Sequence, residues 1–207
     1  MSVIEQAEEY IKHRPYGSVF SFGQLVAKLS VPKDTLSHAL STLESRKRVV
    51  RLERGLWHRP KETRFGTVGP KPEVVASVLA AERHAYILPA GAAALNALGW
   101  SSQMSLGHSY ISTKRIEPVV FGKLSVGFRY SRAFEELIKK LEGTNAKEKE
   151  YAATLWVALE YLGEQEAHNK AGLIRESFER LSVRTRNKLL IAITNGKLRW
   201  ATAILGE

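Results

Sequence analysis

The chain has 207 residues, 44% of them hydrophobic, and a formal net charge of +10; it can bury a substantial core in one or two domains, and its charge favours a polyanionic partner, nucleic acid before membrane. It has no cysteine, which excludes disulfides, thiolate zinc sites, iron–sulfur clusters and Cys nucleophiles together, and Asp34 is its only aspartate, so the Asp-rich two-metal sites of polymerases and many nucleases lack raw material. No run of about 18 apolar residues occurs and the opening MSVIEQAEEYIKHR is polar and acidic, so neither a membrane span nor a signal peptide is expected, and the cytoplasm is the expected location.

Val3, Ile4, Ala7 and Ile11 predict a first helix over 2–12, acidic in its first turns as the macrodipole favours. A turn at 15–18 leads to a short strand at Val19-Phe20. Ser21 then caps a helix over 22–29, with Phe22, Leu25, Val26 and Leu29 on one side. Only Ser30-Val31 separates it from the next helix, the short connection that a helix-turn-helix uses to cross two helices steeply. Pro32 suits the first turn of that helix. Leu36, Ala39, Leu40 and Leu43 form its apolar stripe at i, i+3, i+4, i+7. The opposite arc carries Asp34, Ser37, His38, Ser41 and Ser45, with Lys33 and Thr35 near the N-terminus, all able to come close to a base-pair edge.

After Ser45 the period becomes strand-like. Residues 49–53 and 56–59 flank Arg54-Gly55, a tight hairpin turn that makes a wing with Arg54 at its tip. Helix, strand, helix, helix, wing is the winged-helix order. Between Lys12 and Arg64 there are twelve Lys and Arg against Asp34, Glu44, Glu53 and Glu62, a local net of +8. This is the electrostatic footprint of a nucleic-acid reader. In that reading Lys33, Thr35, Ser37, His38 and Ser41 lie near bases in the major groove, while Arg46, Arg51, Arg54 and Arg59 hold phosphate or the adjacent minor groove. The competing reading is a winged helix used only to dock protein.

Residues 61–72 read as a linker or irregular arm whose Lys61, Arg64 and Lys71 either follow phosphates or are simply a solvated tether. Beyond it come a helix over 73–83, a strand over 84–88, an Ala-rich helix over 92–98 stopped by Gly99, and a polar loop, Trp100-Ser101-Ser102-Gln103-Met104-Ser105. Strands are expected over 109–112, 119–121 and 124–130, then helices over 133–141, 147–162, 164–181, 182–194 and 197–205. The expected fold is therefore α+β: an N-terminal winged helix-turn-helix domain over 1–64, then a mixed α/β domain with a helical C-terminal part over 65–207. A second basic cluster, Arg175, Arg180, Arg184, Arg186, Lys188, Lys197 and Arg199, reads as solvated helix faces before a second DNA contact.

Little else suggests chemistry, and no catalytic residue, metal or cofactor is expected. None of the six histidines has ligand spacing to another. Gly66-Thr67-Val68-Gly69-Pro70 lacks the lysine and helix of a phosphate cradle. Ser101, Ser102 and Ser105 near His108 have no nucleophile elbow.

Tyr16-Gly17-Ser18-Val19-Phe20, Leu40-Ser41-Thr42-Leu43, Arg54-Gly55-Leu56-Trp57, and Pro89-Ala90-Gly91-Ala92-Ala93-Ala94-Leu95 running on to Leu98-Gly99-Trp100-Ser101-Ser102-Gln103 together resemble the AbiEi-type antitoxins of abortive-infection, type IV toxin–antitoxin systems. The resemblance spans residues 1–190, and the P-x-G to LG-x-S-x-Q block is its most specific part. It implies a cytoplasmic antitoxin that represses its own operon by binding operator DNA. Its larger C-terminal domain would oppose a nucleotidyltransferase toxin, characteristically without a stable complex. Winged-helix repressors often read inverted repeats as pairs, so a homodimer on DNA fits, although no dimer seam is legible. Trp100, Ser101, Ser102, Gln103, Tyr110, Lys114 and Arg129 are the expected antitoxic surface, the competing reading being that Trp100 is core and its loop a connection. Ala90 stands where the family usually has a hydroxyl residue, which removes a capping hydroxyl from that helix start. Two other classes remain open: a transcription factor whose C-terminal domain binds a ligand or protein, and a nucleic-acid-processing enzyme.

Overall fold

The computed structural model describes residues 1–103 and 107–206. The chain is α+β and divides into two compact units, Met1–His84 with Glu117–Val126, and Ala85–Ile116 with Gly127–Glu207. A helix and a later hairpin group with the N-terminal elements in the first of these units. Met104 and Ser105 of the expected polar loop lie outside the described residues.

In the first unit, α1 (Val3–Lys12) starts at a capping box, where the Ser2 hydroxyl accepts from Glu5 N–H and the Glu5 carboxylate accepts from Ser2 N–H. Strand β1 (Val19–Ser21) leads directly into α2 (Phe22–Leu29), again through a reciprocal box between Ser21 and Gln24. Ser30 turns the chain in the left-handed region at φ 53°, and α3 (Lys33–Ser45) follows at once. Pro32 sits one place earlier than expected, as the N-cap, and its carbonyl accepts from Leu36 N–H at 3.0 Å. Strands β2 (Val50–Glu53) and β3 (Leu56–His58) form the expected hairpin, and β1 joins them in an antiparallel sheet of order β1-β3-β2. Leu36, Leu40 and Leu43 are fully buried and pack with Ala7, Ile11, Phe20, Leu25, Val49 and Trp57.

The expected linker at 61–72 is instead a second hairpin, β4 (Lys61–Thr63) paired with β5 (Gly66–Val68), followed by α4 (Pro72–Glu82). Two later strands, β8 (Val119–Phe121) and the first part of β9 (Leu124–Tyr130), also belong to this unit, where β8 runs beside β2.

In the second unit β6 (Ile87–Pro89) pairs antiparallel with β7 (His108–Ser112), in the register Leu88↔Ile111. Between them α5 (Ala92–Ala97) begins at the N-cap Gly91, φ 66°, which has no side chain to cap it. After the end of β9, the unit continues in helices: α6 (Arg132–Lys140), α7 (Ala146–Asn169), α8 (Ala171–Glu179), α9 (Val183–Thr194) and α10 (Thr202–Leu205). A kink at Gly163, φ 71°, breaks α7 where two helices were expected to meet. Its middle, Ala152 to Leu159, is buried throughout, so helices and strands surround it and no polar stripe is left.

Candidate nucleic-acid interface

Packing decides which face of α3 is free. With Leu36, Ala39, Leu40 and Leu43 all buried, the opposite arc is left outside, and Lys33, Asp34, Thr35, Ser37, His38, Ser41 and Ser45 are exposed. The Ser45 hydroxyl turns back to Thr42 O. Among the described residues, the side chains of Lys33, Thr35, Ser37, His38 and Ser41 form no hydrogen bond within the protein. The N-terminus of α3 has no side-chain cap, which leaves its first N–H groups to an outside acceptor.

The basic residues divide into two sets. Arg46, Arg54 and Lys61 are exposed and, among the described residues, form no ion pair. Others are already engaged. Arg48 Nε lies 3.0 Å from the Glu8 carboxylate. Arg51 Nε donates to Glu53 O at 3.2 Å, and its guanidinium sits 5.7 Å from the Trp57 ring centre. Arg59 differs most from expectation. Its guanidinium donates to the carbonyls of Lys12 and Arg14 and lies over the Tyr16 ring at 4.2 Å, so it ties down the end of α1 and is not poised for phosphate.

The β2–β3 hairpin is short, with a register shift between Arg51 and Glu53. Its turn is drawn back onto the unit by Phe22 N–H donating to Gly55 O at 2.8 Å. At the sheet's centre Trp57 Nε1 and His58 Nδ1 are buried with no hydrogen-bond partner among the described residues. Burial pushes the His58 pKa below the usual imidazole range against a smaller opposing effect of the Arg59 backbone.

The residues expected to form an antitoxic surface do not share one environment. Trp100 is core: it is buried, and its indole N–H donates to the Ser177 hydroxyl at 2.9 Å. Tyr110 is also buried, stacked 5.8 Å from Phe128. Ser101 is half-buried and accepts from Gln103 N–H at 3.0 Å, while Ser102 and Gln103 are exposed. Lys114 pairs with Glu135 at 3.2 Å. Hydrogen bonds from Lys139, Lys114 and Tyr130 bring the Glu135 carboxyl down to about 2. Arg129 makes a two-point bond to Glu160, which Lys197 also contacts. Burial raises the Glu160 pKa, but these two cations outweigh it and the net shift is downward.

The C-terminal basic cluster is largely spent within its own unit: Arg175 donates to Ile204 O, Arg180 to Glu176, Lys188 to Glu142 O and Lys197 to Glu160. Among the described residues no three His, Asp or Glu side chains come together in a way that could hold a metal ion, and no helix is long and apolar enough to cross a membrane.

Sequence reasoning missed the β4–β5 hairpin. The signal was there in Thr63, Thr67 and Val68 around Gly66, since β-branched residues flanking a turn glycine mark a hairpin.

Fold and surface together define an α+β protein whose N-terminal unit presents one polar helix face among exposed cations. The chain belongs to the DUF6088 family, a family of unknown function whose model matches residues 6–169. It matches no curated protein. Among solved structures it is similar to the RV2827C protein from Mycobacterium tuberculosis, at 15% identity over 98% of this chain and 79% of that one, with a TM-score of 0.41.

Proposed function

We propose that the chain is a DNA-binding autorepressor and antitoxin of a toxin–antitoxin operon, cytoplasmic and without chemistry of its own, whose N-terminal unit acts as a winged helix-turn-helix. The observation that carries the DNA-binding half is the α3 face: short polar side chains, exposed and without internal hydrogen bonds, directly opposite a fully buried stripe. A face of this kind can meet base edges in a major groove, and Ser37, His38 and Ser41 can each donate or accept there. Arg46, Arg54 and Lys61 supply phosphate contacts around it, which position the helix without reading sequence.

The antitoxin half rests on the resemblance to AbiEi-type antitoxins. The C-terminal unit opposes a nucleotidyltransferase toxin, with Ser102, Gln103, Lys114 and Arg129 as the exposed members of the expected surface. A gel shift and footprint on the DNA upstream of the chain's own gene test the first half. Growth rescue of cells expressing the neighbouring gene, with and without the chain, tests the second. Loss of rescue by a Ser102→Glu, Gln103→Ala variant of unchanged melting temperature would support the assigned surface.

A further inference from the structure

Apart from Lys61 at its root, the hairpin β4–β5 has no role in the base-reading arrangement above, yet it is better built than β2–β3 for reaching outward. It leaves the body at Pro60 and returns at Pro70, both buried, so its root is held by two residues of fixed φ. Its turn is ordered by one side chain: the Thr63 hydroxyl donates to Gly66 O at 2.7 Å and accepts from Phe65 N–H at 3.3 Å. Gly66 completes the turn at φ 111°, a conformation that an L side chain resists. The result is that Phe65 stands 86% exposed at the tip, with the Arg64 guanidinium 4.7 Å over its ring. At about 3.3 Å per residue the tip reaches roughly 15 Å from the root.

An aromatic ring held in water by an ordered turn, with a guanidinium on one face, fits an apolar slot beside an anion, and the charge along the hairpin says which kind. Arg64 is exposed beside it, and Lys61 and Lys71 are exposed at the root of the hairpin. The hairpin's one carboxylate, Glu62, is engaged by the Thr67 hydroxyl at 2.8 Å. A base step is an apolar slot flanked by phosphates, and it satisfies both demands at once. The β2–β3 turn, bound back to Phe22, offers no such tip.

We propose that β4–β5 is a second DNA-contacting arm, which wedges Phe65 between two base pairs from the minor groove while Arg64 meets a phosphate beside that step and Lys61 and Lys71, at the root, meet phosphates farther along the duplex. This rests on the reading of the N-terminal unit as a DNA binder, and it adds the unstacking of a base step, which that reading does not require.

The test uses the full chain and duplexes of its own upstream DNA carrying 2-aminopurine at successive positions across the footprint. Wild type is expected to raise the fluorescence at one or two adjacent steps. Phe65→Ala should keep the footprint, bind about tenfold more weakly and lose the signal, while Phe65→Leu, still an apolar wedge, should retain it. Circular dichroism checks that each variant is folded. A footprint with no unstacked step, or a Phe65→Ala variant that keeps both signal and affinity, would overturn the wedge and leave α3 as the reader. Phe65-dependent binding to anionic vesicles in place of DNA would overturn it too. If wild type gives no footprint at all, the DNA-binding reading fails and the wedge fails with it.

Discussion

The Arg59 guanidinium donates to the Lys12 carbonyl at 2.7 Å, joining the residue after β3 to the last turn of α1 across 47 positions of sequence. The bond neutralises a helix C-terminus with a cation and satisfies one of its orphan carbonyls, with Arg14 O as a second acceptor. Arg59→Ala therefore belongs with stability. The expected loss is about 1–3 kcal/mol, from charge-assisted bonds, visible as a lower melting temperature. Arg54→Ala, with an exposed side chain, should leave that temperature within error. Thermal melts of the two variants side by side check the contrast.

His58 makes the first unit sensitive to mild acid. Its folded pKa lies below the ordinary value of 6.5 because it is buried, so on acidification the unfolded chain takes up a proton before the folded one does. Stability is then fully present above about pH 6.5 and falls as the pH drops from there toward the lowered folded value. Melts between pH 7.5 and 5 should show this slope, and His58→Gln should flatten it.

Trp100 separates the two readings of its loop. Trp100→Phe removes the donor to the buried Ser177 hydroxyl, and an unpaired buried hydroxyl costs about 1–3 kcal/mol. The melting temperature should fall, whereas Gln103→Ala, on the exposed part of the same loop, should shift stability by less than about 0.5 kcal/mol. Equal effects in denaturant titrations would mean that Trp100 is not held as described.

Local signals carried well from sequence to structure. Ser21 caps α2, Gly163 breaks α7, and the Leu36–Leu43 stripe is buried, because caps and periodicity act over a few residues. What failed was non-local. Arg59 looked like one more cation of a basic wing until its acceptors, more than 40 residues away, were placed. Trp100 stood in a run of polar residues, and its partner is 77 positions on. The return of 117–126 to the first unit depends on β8 meeting β2, which no local pattern encodes. The β4–β5 hairpin was the exception, local but overlooked, since prolines and glycines at 66–72 also spell a tether.

The most direct test of the account is a gel shift of the purified chain on its own upstream DNA at two salt concentrations, beside Arg54→Ala and His38→Ala. Specific binding is predicted for wild type. Arg54→Ala should weaken all sequences alike and reduce the salt slope by about one, and His38→Ala should lose about 1–3 kcal/mol of discrimination at a single base pair. Binding that is absent, or equal on unrelated DNA and indifferent to both substitutions, would contradict the assignment of α3 as a DNA-reading helix.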